Sequence, residues 1–320
     1  MAKGLITVFG ADGFLGRFVV RELVKQGWRI RAAVRRPHTA QDLRVIGAVG
    51  QIQLVQANIR YKLSVARALD GADAVINLVG ILHKEGRQTF ESVHVQGVRN
   101  IAEAAKERGI ANFVYVSALG AGENAMSESA KSKTAGENVL REHVATADIM
   151  RPSIIFGEDD GFFGRFAQMS SFAPVLPLVG GGHTRFQPVY VGDVAKAIAT
   201  SVDNGSKGTT FELGGPTSYT FKELLEFMLA TIDKKRLLVP LPWFAANIVG
   251  AIGEFTGFLP FVKPVLTRDQ VTSLKSDNVV SPDMPGLAEL GIKAKTIEAI
   301  MPAHLEKFKK YGQFHQAASD

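Results

Sequence analysis

The sequence predicts an α/β fold, a doubly wound parallel sheet followed by a smaller mixed α/β C-terminal subdomain. Three observations carry this. Strand-like and helix-like segments alternate through roughly the first half of the chain. A glycine-spaced turn, Gly10, Gly13 and Gly16, joins the first strand-like run to the first helical one. After residue 157 the alternation gives way to short apolar runs broken by Pro and Gly. The expected division is therefore 1–157 and 158–320, with some late segments returning to the main sheet.

The elements follow in order. Leu5–Phe9 is a short apolar run and reads as a strand, and Phe14–Lys25 has helical spacing. Trp28–Val34, Gln51–Gln56, Ala74–Val79 and Phe113–Ser117 are further strands, and Ile149–Phe156 is the next. Helical patterns lie between them at Lys62–Leu69, Thr89–Arg108 and Ser132–His143. In the second half, Thr220 and Glu223 have the T-x-x-E spacing of a capping box.

Composition narrows the function classes. Hydrophobic residues at 46% and charged residues at 21% in 320 positions describe a globular chain with a substantial core. The net charge of +6 favours anionic partners. The cations are dispersed, with no basic run longer than Lys234-Lys235-Arg236, so a nucleic-acid groove is not expected. The absence of cysteine excludes disulfides and Cys-ligated metal, and no metal site is expected. The N-terminus enters a strand at once, without the regions of a signal peptide or an Arg/Ser-rich presequence, so export is not expected. The longest apolar stretch, Leu237–Gly253, is interrupted by Pro240, Pro242, Gly250 and Gly253 and is not expected to span a membrane.

The glycine turn lies in "VFGADGFLGRF". Gly10 permits the tight turn, Gly13 lets the backbone approach a pyrophosphate, and Gly16 lets the helix pack on the strand. The first helical turn, Phe14, Leu15, Gly16 and Arg17, then faces the phosphates with its N–H groups. The second strand ends in Arg35-Arg36 where an NAD site carries an acid. Guanidinium groups there suit a 2′-phosphate, so NADP(H) is the expected cofactor, with Arg17 a weaker phosphate candidate.

The G-x-x-G-x-x-G spacing resembles the extended and atypical short-chain dehydrogenase/reductases, whose core is a Rossmann-like sheet. The resemblance implies that Asn58 and Ile59 meet the adenine and that Leu78, Val79 and Gly80 flank the ribose and nicotinamide. It also implies that Ser117 and Lys133 are remnants of the catalytic set. In those families a Tyr-x-x-x-Lys pair supplies the proton. Here Ser129 stands four residues before Lys133, and none of the five tyrosines is followed four residues later by lysine. A serine is less acidic and shorter than a phenol. Ordinary dehydrogenase activity is therefore not expected, and no catalytic residue is assigned.

Further along, "AGENVLRE", "RPSIIFGEDDGFFGRFAQM", "RFQPVYVGDVAKAI", "LLVPLP" and "LTRDQV" resemble the NADPH-binding accessory subunits of respiratory complex I (NADH:ubiquinone oxidoreductase) and their bacterial relatives. The resemblance implies a held NADPH outside the main electron path and partner subunits near the quinone site. It implies a peripheral location on the cytoplasmic face of a bacterial inner membrane, or the matrix side in an organelle. It also implies that Pro152 to Gly157, including Ile155, close over the nicotinamide, with Gln187, Val189 and Asp193 below. Asp193 reads equally as a helix N-cap. A free-standing NADP-dependent reductase or isomerase, or an NmrA-like cofactor-sensing regulator, are the alternatives. The apolar segment 240–266, with Trp243, Phe255, Phe258 and Phe261, suits either a buried interior or a surface against lipid or a membrane subunit.

Overall fold

The computed structural model describes residues 3–256, 266–310 and 312. Along the chain the strands are β1 (Leu5–Phe9), β2 (Arg29–Val34), β3 (Ile52–Gln56), β4 (Ala74–Asn77), β5 (Asn112–Val116), β6 (Asp148–Pro152), β7 (Ile155–Phe156), β8 (Val175–Val179), β9 (Arg185–Phe186), β10 (Val189–Tyr190), β11 (Thr210–Leu213), β12 (Tyr219–Thr220) and β13 (Leu237–Leu241). The helices are α1 (Phe14–Lys25), α2 (Lys62–Ala68), α3 (Gln96–Glu107), α4 (Glu128–His143), α5 (Phe163–Phe172), α6 (Val191–Asp203), α7 (Phe221–Thr231), α8 (Trp243–Thr256), α9 (Arg268–Ser273) and α10 (Ile297–Leu305). A π-helical turn, Glu91–Val95, leads into α3.

The chain forms two units. The first contains Met1–Pro152, Val191–Leu213 and Ser281–Lys293. Its seven strands pair in the order β11-β6-β5-β4-β1-β2-β3, every pairing parallel. Order reverses beside β1, so the ends of β1 and β4 diverge into a crevice, where such sheets take ligands. Strand β1 shows why the sheet is covered on both sides. Thr7 donates its hydroxyl to Ala68 O at the end of α2, and Phe9 joins a buried cluster with Val98, Ile101 and Ala102 of α3. Alternation turns the fully buried Ile6 and Val8 to the opposite face. Burying each such side chain contributes about 1.5–3 kcal/mol.

Strand β11 comes from the later half and completes the sheet edge. Buried Asp148 of β6 secures its approach, accepting from Ser201 Oγ at 2.6 Å and from the backbone of Lys207 and Thr209 at 2.9 and 2.8 Å. A still later segment ties in. Glu212 N donates to Pro285 O at 2.9 Å, and Ser281 N donates to the Glu212 carboxylate at 2.7 Å.

The second unit contains Ser153–Tyr190, Gly214–Val280 and Ala294–Asp320. Three two-stranded pairings, β7 with β10, β9 with β12 and β8 with β13, surround an aromatic-rich core that includes Phe156, Phe163, Phe186 and Phe221. The Thr220–Glu223 capping box forms at the start of α7.

Three sequence expectations are corrected. The single strand expected over Ile149–Phe156 is two strands, because the chain leaves the main sheet after Pro152 and Ile155–Phe156 pairs with β10. Helix α4 begins at Glu128 rather than Ser132, because the Ser127 side chain caps it by accepting from Ala130 N. Asp193 is not an N-cap: α6 starts at Val191 and places it, buried, in the first turn.

Candidate functional site

A cleft opens over the carboxyl ends of β1, β2, β3 and β4. Its floor is the glycine turn. Gly10 has φ +81°, a left-handed value that disfavours any side chain, and Gly13 N donates to Gly10 O at 3.1 Å. A methyl on Gly16 would stand 2.2 Å from Gly10 O and 2.6 Å from the Ala11 carbonyl, so close strand–helix packing requires glycine here. No side chain caps α1 and no acid lies in its first turn, so its positive end is left for an anion.

Of the sequence-predicted residues, Gly10, Gly13, Arg35, Asn58, Ile59, Leu78, Val79 and Gly80 line this one cleft. Phe14, Leu15, Gly16 and Arg17 form the first turn of α1 beneath it. Arg36 is exposed beside Arg35 but does not line the cleft. Pro152 ends β6 in the first unit; Ile155 in β7, Gln187, and Val189 in β10 belong to the second.

The arginines differ in how their charge is met. Arg17 is ion-paired with Asp42. Arg35 Nη1 donates to Gln88 Oε1 at 2.6 Å. Arg60, which the sequence reading missed, also lines the cleft and donates to Arg87 O at 2.8 Å and Asn58 Oδ1 at 3.4 Å. The acceptors of Arg35 and Arg60 are all neutral, so neither guanidinium has a carboxylate partner among the described residues. The carboxylate that lines the cleft is Asp12 of the glycine turn. The signal for Arg60 was its place two residues past Asn58, at the strand end already expected to meet the cofactor.

Ser117 and Lys133, expected as catalytic remnants, are buried and are not among the residues that line the cleft. Lys133 of α4 is 7% exposed, and its Nζ donates to Val116 O at 2.9 Å. It lies 5.0 Å from the Tyr115 ring centroid, and a methyl on Gly80 would stand 3.3 Å from it. Burial pulls the ammonium down to about 8, against the opposing pull of the Glu137 carboxylate. Ser117 Oγ, Asn77 Nδ2 and Tyr115 Oη are buried without a hydrogen-bond partner among the described residues. Of these, Asn77 ends β4 and Ser117 follows β5, at the carboxyl edge of the sheet, while Tyr115 lies inside β5.

Tyr115 does not replace the missing proton donor. It is fully buried, and burial together with the Glu137 carboxylate holds its phenol neutral and out of reach of a substrate oxygen. His94 is spoken for as well. Its Nε2 accepts from Ile81 N at 3.1 Å, which places the proton on Nδ1 and makes it the donor to Ser132 Oγ at 2.8 Å. Ser132 Oγ passes the bond to Ser129 O at 2.7 Å. Burial, with Lys133 nearby, lowers the imidazole to about 3, so it stays neutral and ties the loop after β4 to the turn holding Ser129.

The buried ammonium makes a testable contribution. Below about pH 8 Lys133 is charged in both folded and unfolded chains. Between about 8 and its ordinary value of 10.5 the unfolded chain binds the proton that the folded chain has released, so this group adds stability as pH rises through that window. Chemical denaturation of the wild type and Lys133→Met should show that slope in the former and its absence in the latter.

The chain has counterparts among known proteins. A family model described as NAD(P)H-binding matches residues 10–161, which includes every residue lining the cleft except Phe9. Over 308 residues the chain is 36% identical to NADH dehydrogenase (ubiquinone) 1 alpha subcomplex subunit 9, mitochondrial, of Mus musculus, covering 95% of this chain and 80% of that protein. The chain belongs to the alpha subcomplex subunit 9 family. This member of the family is also 31% identical over 243 residues to the ceramide reductase of Caulobacter vibrioides, covering 75% of this chain and 74% of that protein. Among solved structures, an Escherichia coli NADPH-dependent quinone oxidoreductase complexed with NADPH shares its fold. The TM-score is 0.73 at 21% identity, over 94% of this chain and 99% of that one. The first unit is thus an NAD(P)H-binding domain built on a Rossmann-like parallel sheet.

Proposed function

We propose that this chain holds NADPH without ordinarily turning it over, as a peripheral accessory subunit of a respiratory NADH:ubiquinone oxidoreductase docked near the quinone site. The observation that carries the reading is 36% identity over 95% of this chain to an NADH dehydrogenase subunit, combined with Ser129 four residues before Lys133. When bound, NADPH supplies a hydride. The residues of this chain would hold it: the glycine turn and the first turn of α1 at the pyrophosphate, Asn58 and Ile59 at the adenine, and Leu78–Gly80 with Ser117 and Lys133 on the nicotinamide side. Nothing at the Ser129 position exchanges a proton as a phenol would. No described helix is long and apolar enough to cross a membrane, which suits a peripheral place. The cytoplasmic face of a bacterial inner membrane, or the matrix side in an organelle, is the side this reading assigns.

A tagged chain expressed in its source should co-migrate with NADH:ubiquinone oxidoreductase activity after detergent solubilisation and native electrophoresis. Migration apart from that activity would refute membership. The second reading, an NADP-dependent reductase, is favoured by the ceramide reductase relative. Steady NADPH oxidation by the isolated wild type on a carbonyl substrate would select it.

Cofactor preference follows from the two guanidinium groups without carboxylate partners. Charge-assisted bonds contribute about 1.5–3 kcal/mol each, so Arg35→Ala and Arg60→Ala should each weaken NADPH roughly 10–100-fold while leaving NADH nearly unchanged. Arg17→Ala, whose charge Asp42 already meets, should change neither. Calorimetric titration of both nucleotides reads this directly. Equal losses for NADPH and NADH would remove the 2′-phosphate assignment.

A further inference from the structure

Helix α8 is packed with its small residues inward and its bulky ones outward. Ala246, Gly250 and Gly253 are buried, and a methyl on Gly250 would stand 2.8 Å from Arg268 N at the start of α9. Trp243, at the helix start, is half-buried and lies so close to Gly180 that a methyl there would meet the indole at 2.1 Å. The opposite face is open. Phe244 is 71% exposed, Ile248 58%, Val249 42% and Ile252 59%, and their i, i+4, i+5, i+8 spacing puts them on one stripe. Strand β13, immediately before α8, exposes Leu237 and Val239 on one face, with Val175 of β8 the register partner of Leu237. Of the segment 240–266, Phe258 and Phe261 lie outside the described residues, as does the side chain of Phe255.

Between two flanking acids the charges of this segment are of one sign. From Lys234 to Gly253 the chain carries three cations and no carboxylate. Lys234 Nζ donates to Ser171 Oγ at 2.9 Å and Arg236 Nε to Ser170 O at 2.8 Å, both neutral acceptors that leave the charge uncompensated. Lys275 Nζ lies 5.9 Å from the Trp243 ring. The flanking acids are Asp233 and Glu254, and Arg268 pairs with the latter. An exposed aliphatic and aromatic stripe without acids, preceded by an open strand face that begins at uncompensated cations, suits an anionic lipid interface.

We propose that the outer face of α8, with the open face of β13, docks on an anionic phospholipid surface, the stripe entering the acyl boundary and Lys234, Lys235 and Arg236 meeting the headgroups. This stands apart from membership of the respiratory complex, because it concerns the isolated chain and lipid alone. The test sediments the full-length chain, saturated with NADPH, with phosphatidylcholine vesicles prepared with and without phosphatidylglycerol. The wild type should pellet with the anionic vesicles, less so at high salt. The double variant Phe244→Ser, Ile248→Ser should lose that binding at least about tenfold. Both side chains are exposed, so its melting and NADPH affinity should match the wild type. The triple variant Lys234→Gln, Lys235→Gln, Arg236→Gln should lose the phosphatidylglycerol dependence. A wild type that stays in the supernatant with both vesicle types, or a double variant that pellets equally, would overturn the proposal. So would self-association in lipid-free solution that the double variant abolishes, since a second copy would then cover the face.

Discussion

Gly16→Ala should lose tight NADPH binding, with the Kd raised on the order of a hundredfold. The added methyl would stand 2.2 Å from Gly10 O and 2.6 Å from the Ala11 carbonyl, far inside contact distance. Both neighbours are backbone, so no flexible side chain can give way. Helix α1 must lift from the turn or the turn must spread, and either displaces the N–H groups at the helix start. A shift of about 1 Å in a preorganised site costs on the order of a hundredfold. Overpacking should also lower stability by about 1–3 kcal/mol. A control separates the two effects. Gly27 has φ +86° with open space around it, so Gly27→Ala should cost roughly 1–2 kcal/mol of backbone strain and leave NADPH affinity intact. Calorimetry and thermal melting on both variants check this. Retained affinity in Gly16→Ala would show that the helix start does not hold the cofactor.

The second large effect is expected at Glu137. Its carboxylate accepts from Arg151 Nε at 3.0 Å and from Arg151 Nη2 at 2.6 Å, with both side chains largely buried. The bond to Glu137 is the main cause that raises the guanidinium further above its ordinary value. Glu137→Gln keeps the shape and removes the charge. Breaking a buried pair costs about 3–5 kcal/mol, and Glu212, 3.9 Å from Arg151, should hold the loss near the lower end. The melting temperature should fall by roughly 6–12 °C. Glu137 also supports the charge on Lys133, so the alkaline stability slope of that lysine should begin at lower pH in the variant. A melting temperature within a degree or two of the wild type, roughly the shift of a half-kcal/mol change, would mean that the pair contributes little.

The sheet was readable because its strands carry their own evidence. Leu5–Phe9 is apolar but for Thr7 and is followed by a turn that requires glycine at Gly10 and Gly16, and that one stretch pointed to the cleft. Strand ends then supplied Arg35, Asn58 and Gly80 by position. What the sequence did not show was pairing at a distance. Whether a guanidinium is free depends on its neighbours, and Asp42 beside Arg17 is invisible to spacing. Gln88 and Arg60 reach the cleft through a loop and a strand end with no periodic signal. The break after Pro152 was hidden because Ile149–Phe156 is nearly continuous in β-forming residues, and only the pairing of β7 with β10 divides it. His94 was missed because a histidine in a helical pattern declares neither its tautomer nor its partners.

The way the sheet is finished bears on how the chain is made. Strand β11 closes the edge beside β6, and its Glu212 is held in turn by Ser281 and Pro285, in a segment of the same unit that runs to Lys293. A growing polypeptide therefore cannot assemble this unit when residue 157 emerges from the ribosome. The last pieces arrive only after most of the second unit has been synthesised. Closure of the sheet edge beside β6 is then a late event in biogenesis, although every residue that lines the cleft, from Phe9 to Val93, has emerged long before.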